Sequence, residues 1–389
     1  MARICIVNGI GDTVVRFRGA LIASLVRAGH SVVVSTPHGE EVSDASIAAQ
    51  VEALGARCVF SPLARTSLNP LRDRAAIHHW RKLFASGQFD AVLTTNPKPV
   101  FHATRAARAA GVPRVVAMIT GLGYAFTATG MKPRVLRRLA GWLYARAFPC
   151  ANVVLFQNED DRCVLATIGA SVPETKCGSI GGSGVDLSQF PRRPMPSGAP
   201  IILMVARLLV DKGVREFKEA ARMVKRARPD ARFRLVGWID SNPSAVSRSE
   251  LDRWVAEGAV EYVGRLDDVR DELAKCTIFA LPSYREGTPM SVLEALATGR
   301  PIITTNAPGC RETVRHAPET NGVLIPIQDA QALADSILSV LEKSPLELAR
   351  MGDASRSLAE ERFDVRVVNA TIEQALIQSP LPAASAHPA

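Results

Sequence analysis

Several things are scarce in this sequence, and each scarcity removes a class of protein. Aromatic residues make up only 5% of the 389 residues, and there are seven cysteines. Cys5, Cys58, Cys150, Cys163, Cys177, Cys276 and Cys310 form no C-x-x-C pair or other metal-ligand spacing. That pattern suits inert thiols in a reducing compartment and speaks against a disulfide framework or a zinc site. No apolar run approaches the ~18 residues of a membrane-spanning helix. Met1-Ala2-Arg3-Ile4-Cys5-Ile6-Val7 runs directly into an expected strand, so no secretory signal is expected. No G-x-G-x-x-G follows that strand, and the next one closes on Ser35-Thr36-Pro37 without an acidic residue; both absences disfavour a dinucleotide-binding dehydrogenase.

Charge of one sign is also missing locally. Residues 101–150 hold eight lysines and arginines and no acidic residue. The net charge of +9 sits entirely in residues 1–190, with 21 basic against 12 acidic side chains, while residues 191–389 carry 26 of each. An anionic partner is therefore expected for the first half: a nucleic acid, a phosphorylated substrate or a membrane surface.

What is present is a regular alternation of short apolar runs and amphipathic stretches. Strands are expected at Arg3–Asn8, Ser31–Ser35, Cys58–Ser61, Ala91–Thr95, Val115–Thr120 and Val153–Gln157, with helices between them. Gly178–Asp186 and Phe190–Pro196 read as a linker of glycines followed by prolines. The alternation restarts with Pro200–Ala206, Phe233–Val236, Val260–Val263, Ile278–Leu281, Ile302–Thr305 and Val323–Ile325. The expected fold is α/β: two Rossmann-like, doubly wound parallel-sheet domains facing across a cleft, at 1–190 and 197–363. A helix over 364–378 follows, then a disordered Pro/Ala/Ser-rich tail at 379–389.

Two clusters carry chemistry. After the first strand of the second half, Arg207 and Lys212 precede a helix, where a pyrophosphate is expected. Further on, Glu286 lies before a helix expected to open with Thr288 as N-cap and Pro289 in its first turn, and to stop at Gly299. Glu294 falls on the face of Met290 and Ala297, either a half-exposed glutamate or an acceptor for ligand hydroxyls. Thr288 to Glu294 spans ~9 Å at helical rise, room for phosphates at the helix start and a ribose beyond. In the first half, Gly9-Ile10-Gly11-Asp12 is a glycine-containing turn into a helix. The stretch 133–147 and its flanks set Val135, Leu136, Leu139, Trp142, Leu143 and Phe148 against Lys132, Arg134, Arg137, Arg138 and Arg146. Such a helix either lies on an anionic membrane or packs on its own sheet; Arg65 and Arg72 extend the basic face.

Arg207 and Lys212, the Glu286-x7-Glu294 pair and Gly184-Val185-Asp186 together resemble the retaining GT-B glycosyltransferases of family 4, across nearly the whole chain. Asn96-Pro97-Lys98-Pro99, Thr120-Gly121-Leu122-Gly123-Tyr124 and Phe156-Gln157-Asn158-Glu159 resemble the branch that builds capsule, O-antigen and oligosaccharide-lipid chains. The resemblance implies transfer of a sugar from a UDP-sugar to a polyprenyl-diphosphate-linked saccharide at the inner face of the cytoplasmic membrane, without nucleic acid, metal or other cofactor. It implies catalytic roles for Arg207, Lys212 and Glu286. Donor contacts would come from Gly11, Arg265, Leu266, Thr288, Pro289, Met290 and Glu294. The acceptor and membrane face would comprise Arg65, Arg72, Lys98, Lys132, Arg134, Arg137, Arg138 and Trp142. Where many members carry a histidine after the fifth strand, this chain has Thr120-Gly121-Leu122-Gly123, and His102 falls inside an expected helix. The alternatives are a UDP-GlcNAc 2-epimerase-like enzyme of the same fold and a non-catalytic basic protein that binds lipid or nucleic acid.

Overall fold

The computed structural model describes residues 1–64, 70–123, 126, 130–240, 242 and 244–378, without the side chains of residues 70–72 and 132. Arg65, the 379–389 tail and the side chains of Arg72 and Lys132 lie outside the described residues.

The short apolar runs become two parallel sheets. β1 (Arg3–Val7), β2 (Ser31–Pro37), β3 (Arg57–Ser61), β4 (Ala91–Thr95), β5 (Arg114–Ile119), β6 (Val153–Phe156) and β7 (Cys177–Ser179) are ordered β3-β2-β1-β4-β5-β6-β7. Helices α1 (Val14–Arg27), α2 (Asp44–Glu52), α3 (Pro70–Gly87), α4 (Pro97–Ala109), α5 (Met131–Ala147) and α6 (Glu159–Thr167) connect them. With helices on both faces the strands read as continuous apolar runs instead of alternating ones. Leu21, Ile22, Ile47 and Val51 cover Ile4, Ile6 and Leu93 on one side; Trp80, Phe84 and Ala103 cover Cys5, Val7 and Val92 on the other.

The second sheet comprises β8 (Ile201–Val205), β9 (Arg232–Val236), β10 (Glu261–Gly264), β11 (Ile278–Leu281), β12 (Ile302–Thr305) and β13 (Gly322–Ile325), ordered β10-β9-β8-β11-β12-β13. Its helices are α7 (Val214–Ala227), α8 (Arg248–Ala256), α9 (Arg270–Lys275), α10 (Met290–Thr298), α11 (Ala330–Leu341) and α12 (Pro345–Leu358).

The stretch expected as a linker does contain the boundary between the units, but most of it is packed. Cys177–Ser179 forms β7, paired parallel to β6. The chain changes compact unit at Ser183–Gly184, ahead of the prolines, and returns at Val365–Arg366. From Gly184 the chain is bound to the second unit: Val185 and Leu187 lie in its core, and the Val185 amide donates to the Phe363 carbonyl. The prolines are held by Arg300, 0% exposed, whose Nη2 donates to the carbonyls of Arg193, Pro194 and Ala274 at 3.3, 3.0 and 3.3 Å. The Arg193 amide in turn donates to the Thr298 carbonyl. A buried guanidinium that supplies carbonyls lacking other donors does what a strand ladder does elsewhere. Composition cannot reveal it, because prolines in a strap and prolines in a free linker look alike.

The last helix, α13 (Val365–Ile377), sets Val368, Ile372, Ala375 and Leu376 into the core of the first unit.

Arg300→Ala should strip these carbonyls of their donor and leave a cavity, lowering stability by about 3 kcal/mol. A urea midpoint measures the loss, and proteolysis within 190–197 should appear in the variant alone.

Candidate functional site

In each sheet the strand order reverses beside the unit's first strand, between β1 and β4 and between β8 and β11. Ligands of open parallel sheets bind outside the carboxyl ends at such points. In the second unit the turn after β8 carries Arg207 and Lys212, and the neighbouring turns are fastened to it on both sides. Toward β9, the Leu208 amide donates to Trp238, Val210 to Ser244, and Val246 to Leu208. Toward β11, the Tyr284 amide and the Ser283 hydroxyl both donate to the Asp211 carbonyl, at 2.9 and 3.1 Å. Gly213 allows that approach: at φ 74° its missing Cβ would lie 2.1 Å from the Pro282 carbonyl oxygen.

Each cation of this turn meets a carboxylate from a neighbouring turn. Arg207 Nη1 lies 2.9 Å from Asp240 Oδ2, while Asp240 Oδ1 accepts the Asn242 amide at 2.8 Å. Lys212 Nζ lies 2.5 Å from Glu286 Oε1, and the two side chains are only 15% and 13% exposed. The expected pyrophosphate cations are thus charge-compensated within the protein. Asp240 was not foreseen. Its signal was positional, as the first acidic residue after β9, the strand beside the one that leads to Arg207.

α10 begins one residue later than expected. Pro289, extended at ψ 111°, is the N-cap in place of Thr288, and its carbonyl accepts from both Val292 and Leu293. Gly299 ends the helix in the left-handed conformation. Every residue from Val292 to Thr298 is buried, so the helix has no solvent face for Glu294 to flank. Glu294 is 5% exposed, which excludes the half-exposed reading. The first-turn amides of Met290 and Ser291 add positive helix-end potential next to Glu286 and Thr288.

Arg265 and Leu266 occupy the turn after β10. The Arg265 guanidinium lies 4.9 Å over the Trp238 ring, and Leu266 packs on the core. Cys310 is buried, which pushes its thiol up to about 12, with Glu286 adding to the rise. It stays a thiol at neutral pH and cannot serve as a nucleophile.

In the first unit the expected residues divide differently. Gly11 opens a short 3-10 turn where a Cβ would lie 2.6 Å from the Pro37 carbonyl, so close packing alone calls for glycine. Lys98 pairs with Asp73 at 2.7 Å and donates to the Ala64 carbonyl at 2.8 Å, which makes it a tether between α4 and α3. His102 lies inside α4, its Nε2 3.7 Å from Asp73 Oδ2, and burial lowers its pKa. At the β1/β4 reversal, Gly9 donates to the Asn96 carboxamide, which donates to Thr120, while Thr95 donates to Asn8.

α5 exposes Arg134, Arg138 and Arg146, and more than those. Tyr144 and Ala147 face inward, while Met131, Val135, Leu139 and Trp142 stand exposed in one stripe at helical spacing. Arg134 and Arg138 flank the stripe, and the Arg146 guanidinium lies 4.8 Å over the Trp142 ring. Among the described residues no helix is long and apolar enough to cross a membrane.

The chain matches two family models: a glycosyl transferase 4-like domain over residues 13–177 and glycosyl transferases group 1 over residues 199–343. It is 31% identical to the N,N'-diacetylbacillosaminyl-diphospho-undecaprenol alpha-1,3-N-acetylgalactosaminyltransferase of Campylobacter jejuni, over 94% of this chain and 96% of that one. It is 26% identical to an Escherichia coli UDP-Gal:alpha-D-GlcNAc-diphosphoundecaprenol alpha-1,3-galactosyltransferase, over 75% and 76% of the two chains. In fold it is similar to Anabaena HepE solved with UDP and glucose, at a TM-score of 0.74 and 18% identity over 96% and 99% of the chains. Sucrose-phosphate synthase of Thermosynechococcus elongatus matches at a TM-score of 0.76 and 19% identity, over 96% and 98%. With both halves matched and the likeness to the Campylobacter enzyme running end to end, this chain belongs to the group 1, family 4-like glycosyltransferases and has their GT-B fold.

Proposed function

We propose that this glycosyltransferase moves a hexose or N-acetylhexosamine from a UDP-sugar to a polyprenyl-diphosphate-linked saccharide, with retention of anomeric configuration, on the inner face of the cytoplasmic membrane. The observation that supports the donor half is the Lys212–Glu286 pair, with Arg207 in the same turn as Lys212 at the β8/β11 reversal of one sheet; Glu294 is buried in the helix that follows β11. The second unit takes the donor in this reading, and the first takes the acceptor. Likeness to the two undecaprenol-linked transferases supports the acceptor half.

The bond to be broken joins a sugar to a diphosphate. As it lengthens, the sugar becomes oxocarbenium-like and negative charge grows on the leaving phosphate. Cations fixed beside that phosphate therefore stabilise the transition state more than the ground state. Arg207 and Lys212 fill that role, Arg207 by its fork of donors and Lys212 as a point charge. The amides of Thr288 and Met290 add to them. Glu294 accepts the ribose hydroxyls, and Arg265 and Leu266 border the base. Glu286 accepts sugar hydroxyls and stabilises charge; no residue is assigned as nucleophile, because in front-face transfer the departing phosphate takes the acceptor's proton. The exposed stripe of α5 and the arginines beside it form the surface that meets anionic lipid.

Three outcomes are expected. Purified protein given UDP-GalNAc, UDP-GlcNAc or UDP-Gal should release UDP only when a polyprenyl-diphosphate-linked sugar is present; release without the acceptor, or none with it, would sink the assignment. Glu294→Ala should weaken UDP binding about tenfold, as expected for a lost charge-assisted contact, and unchanged UDP affinity would remove Glu294 from the ribose. Replacing Arg137 and Arg138 together by Glu should reduce sedimentation with anionic vesicles by about tenfold or more, at ~1 kcal/mol per basic residue removed. Equal sedimentation would make α5 an ordinary surface helix.

A further inference from the structure

The two cations proposed to bind diphosphate are neutralised in different ways. Arg207 gives one nitrogen of its guanidinium to Asp240, and Asp240 is itself held by the Asn242 amide. A guanidinium has five N–H donors in a rigid fork, so it can keep Asp240 on one side and grip a phosphate with another. Lys212 has no such division of labour. Its charge sits on one nitrogen, 2.5 Å from Glu286 Oε1, and both side chains are mostly dry.

Neither partner can follow the other far. The Lys212 amide donates to Leu209, and the residue before it, Asp211, accepts from Tyr284 and Ser283 in the turn that carries Glu286. The Glu286 amide donates to Pro308. A diphosphate that draws Lys212 toward itself leaves Glu286 as a partly dry carboxylate beside a polyanion. Such a group costs several kcal/mol unless a donor takes the place of the ammonium. Free nucleotide diphosphate brings acceptor oxygens for Lys212 and no donor for Glu286. An intact donor brings both, because the hydroxyls of its sugar reach the carboxylate as its phosphate reaches the lysine.

We propose that Glu286 is a specificity determinant that separates intact nucleotide sugar from spent nucleotide by competing with the diphosphate for Lys212. The idea rests on the donor-site reading above and goes beyond the sugar contact assigned there. After transfer the sugar has left, Glu286 recaptures Lys212, and the nucleotide is displaced; the ion pair acts as an ejector as well as a filter. Binding energy from the sugar is thereby used to release a cation for the leaving group, which places it in the transition state instead of in product affinity.

Calorimetric titration of UDP and of the UDP-sugar that turns over, into wild type and Glu286→Gln, tests this. Glutamine keeps the shape and the ability to bind hydroxyls but removes the charge that holds Lys212. UDP should bind the variant about tenfold more tightly, while the UDP-sugar gains less, so the preference for intact donor shrinks. Equal or weaker UDP binding in the variant overturns the proposal. The same pair of measurements in a Lys212→Met background should show no gain from Glu286→Gln; a tenfold gain there would mean general repulsion by the carboxylate and would equally overturn it. If the glutamine variant lacks the wild-type circular dichroism, Glu286→Ala takes its place with the same expected gain. Wild type that binds no UDP at all would count against the donor-site reading itself, a different failure from an unresponsive Glu286→Gln.

Discussion

The second unit depends on one constraint: the strand order reverses at β8, so the turn that follows it lies between two others. A turn with a neighbour on one side can drift. This one cannot, because main-chain hydrogen bonds join it to the β9 turn and to the β11 turn. The backbone positions of Arg207 and Lys212 are therefore set by these hydrogen bonds, and each side chain is met by a carboxylate. That is the usual value of a site built on the ends of a sheet. The carboxylates that meet them arrive by the same route, Asp240 from one neighbouring turn and Glu286 from the other.

Charge serves two purposes that the sequence keeps apart. In the second half the balance is even, 26 basic and 26 acidic residues, and the cations that matter are locally answered by carboxylates. Close pairs of that kind act over a few ångströms. The first half carries the whole excess of +9, with Arg134, Arg138 and Arg146 exposed on α5. Unanswered charge on a surface acts over a Debye length, roughly 8 Å at physiological salt, and suits a partner that is itself extended.

Much of this was legible in the sequence because buried parallel strands leave an unmistakable trace. Ala91–Thr95, Ile278–Leu281 and Ile302–Thr305 lie where their apolar runs put them. The placement of Arg207, Lys212, Glu286 and Glu294 was legible too, since all of them follow strands of one sheet. What escaped depends on partners distant in the chain. β7 has three residues, one a glycine, and exists only because β6 offers it an edge. The proline strap is ordered by an arginine more than a hundred residues downstream, with separations of 106 and 107. The burial of Glu294 follows from a helix covered on every side, whereas pattern alone suggested a helix with one wet face. On α5 the sequence left two readings open, an apolar face toward a membrane or one packed on its own sheet; Tyr144 and Ala147 are buried, and Met131, Val135, Leu139 and Trp142 stay exposed.

α13 has a consequence for the order in which the protein is made. Its buried residues Val368, Ile372, Ala375 and Leu376 complete the core of the first unit, and Arg114 Nε donates to the Ala375 carbonyl across 261 residues of chain. A ribosome working from the N-terminus therefore delivers a first unit whose apolar face stays uncovered until the final residues emerge. The second unit, residues 184–365, is continuous in sequence and has its whole core by then. The unit begun first is therefore completed after the second, and the apolar face that α13 covers is open until then, the condition in which partly made domains tend to associate.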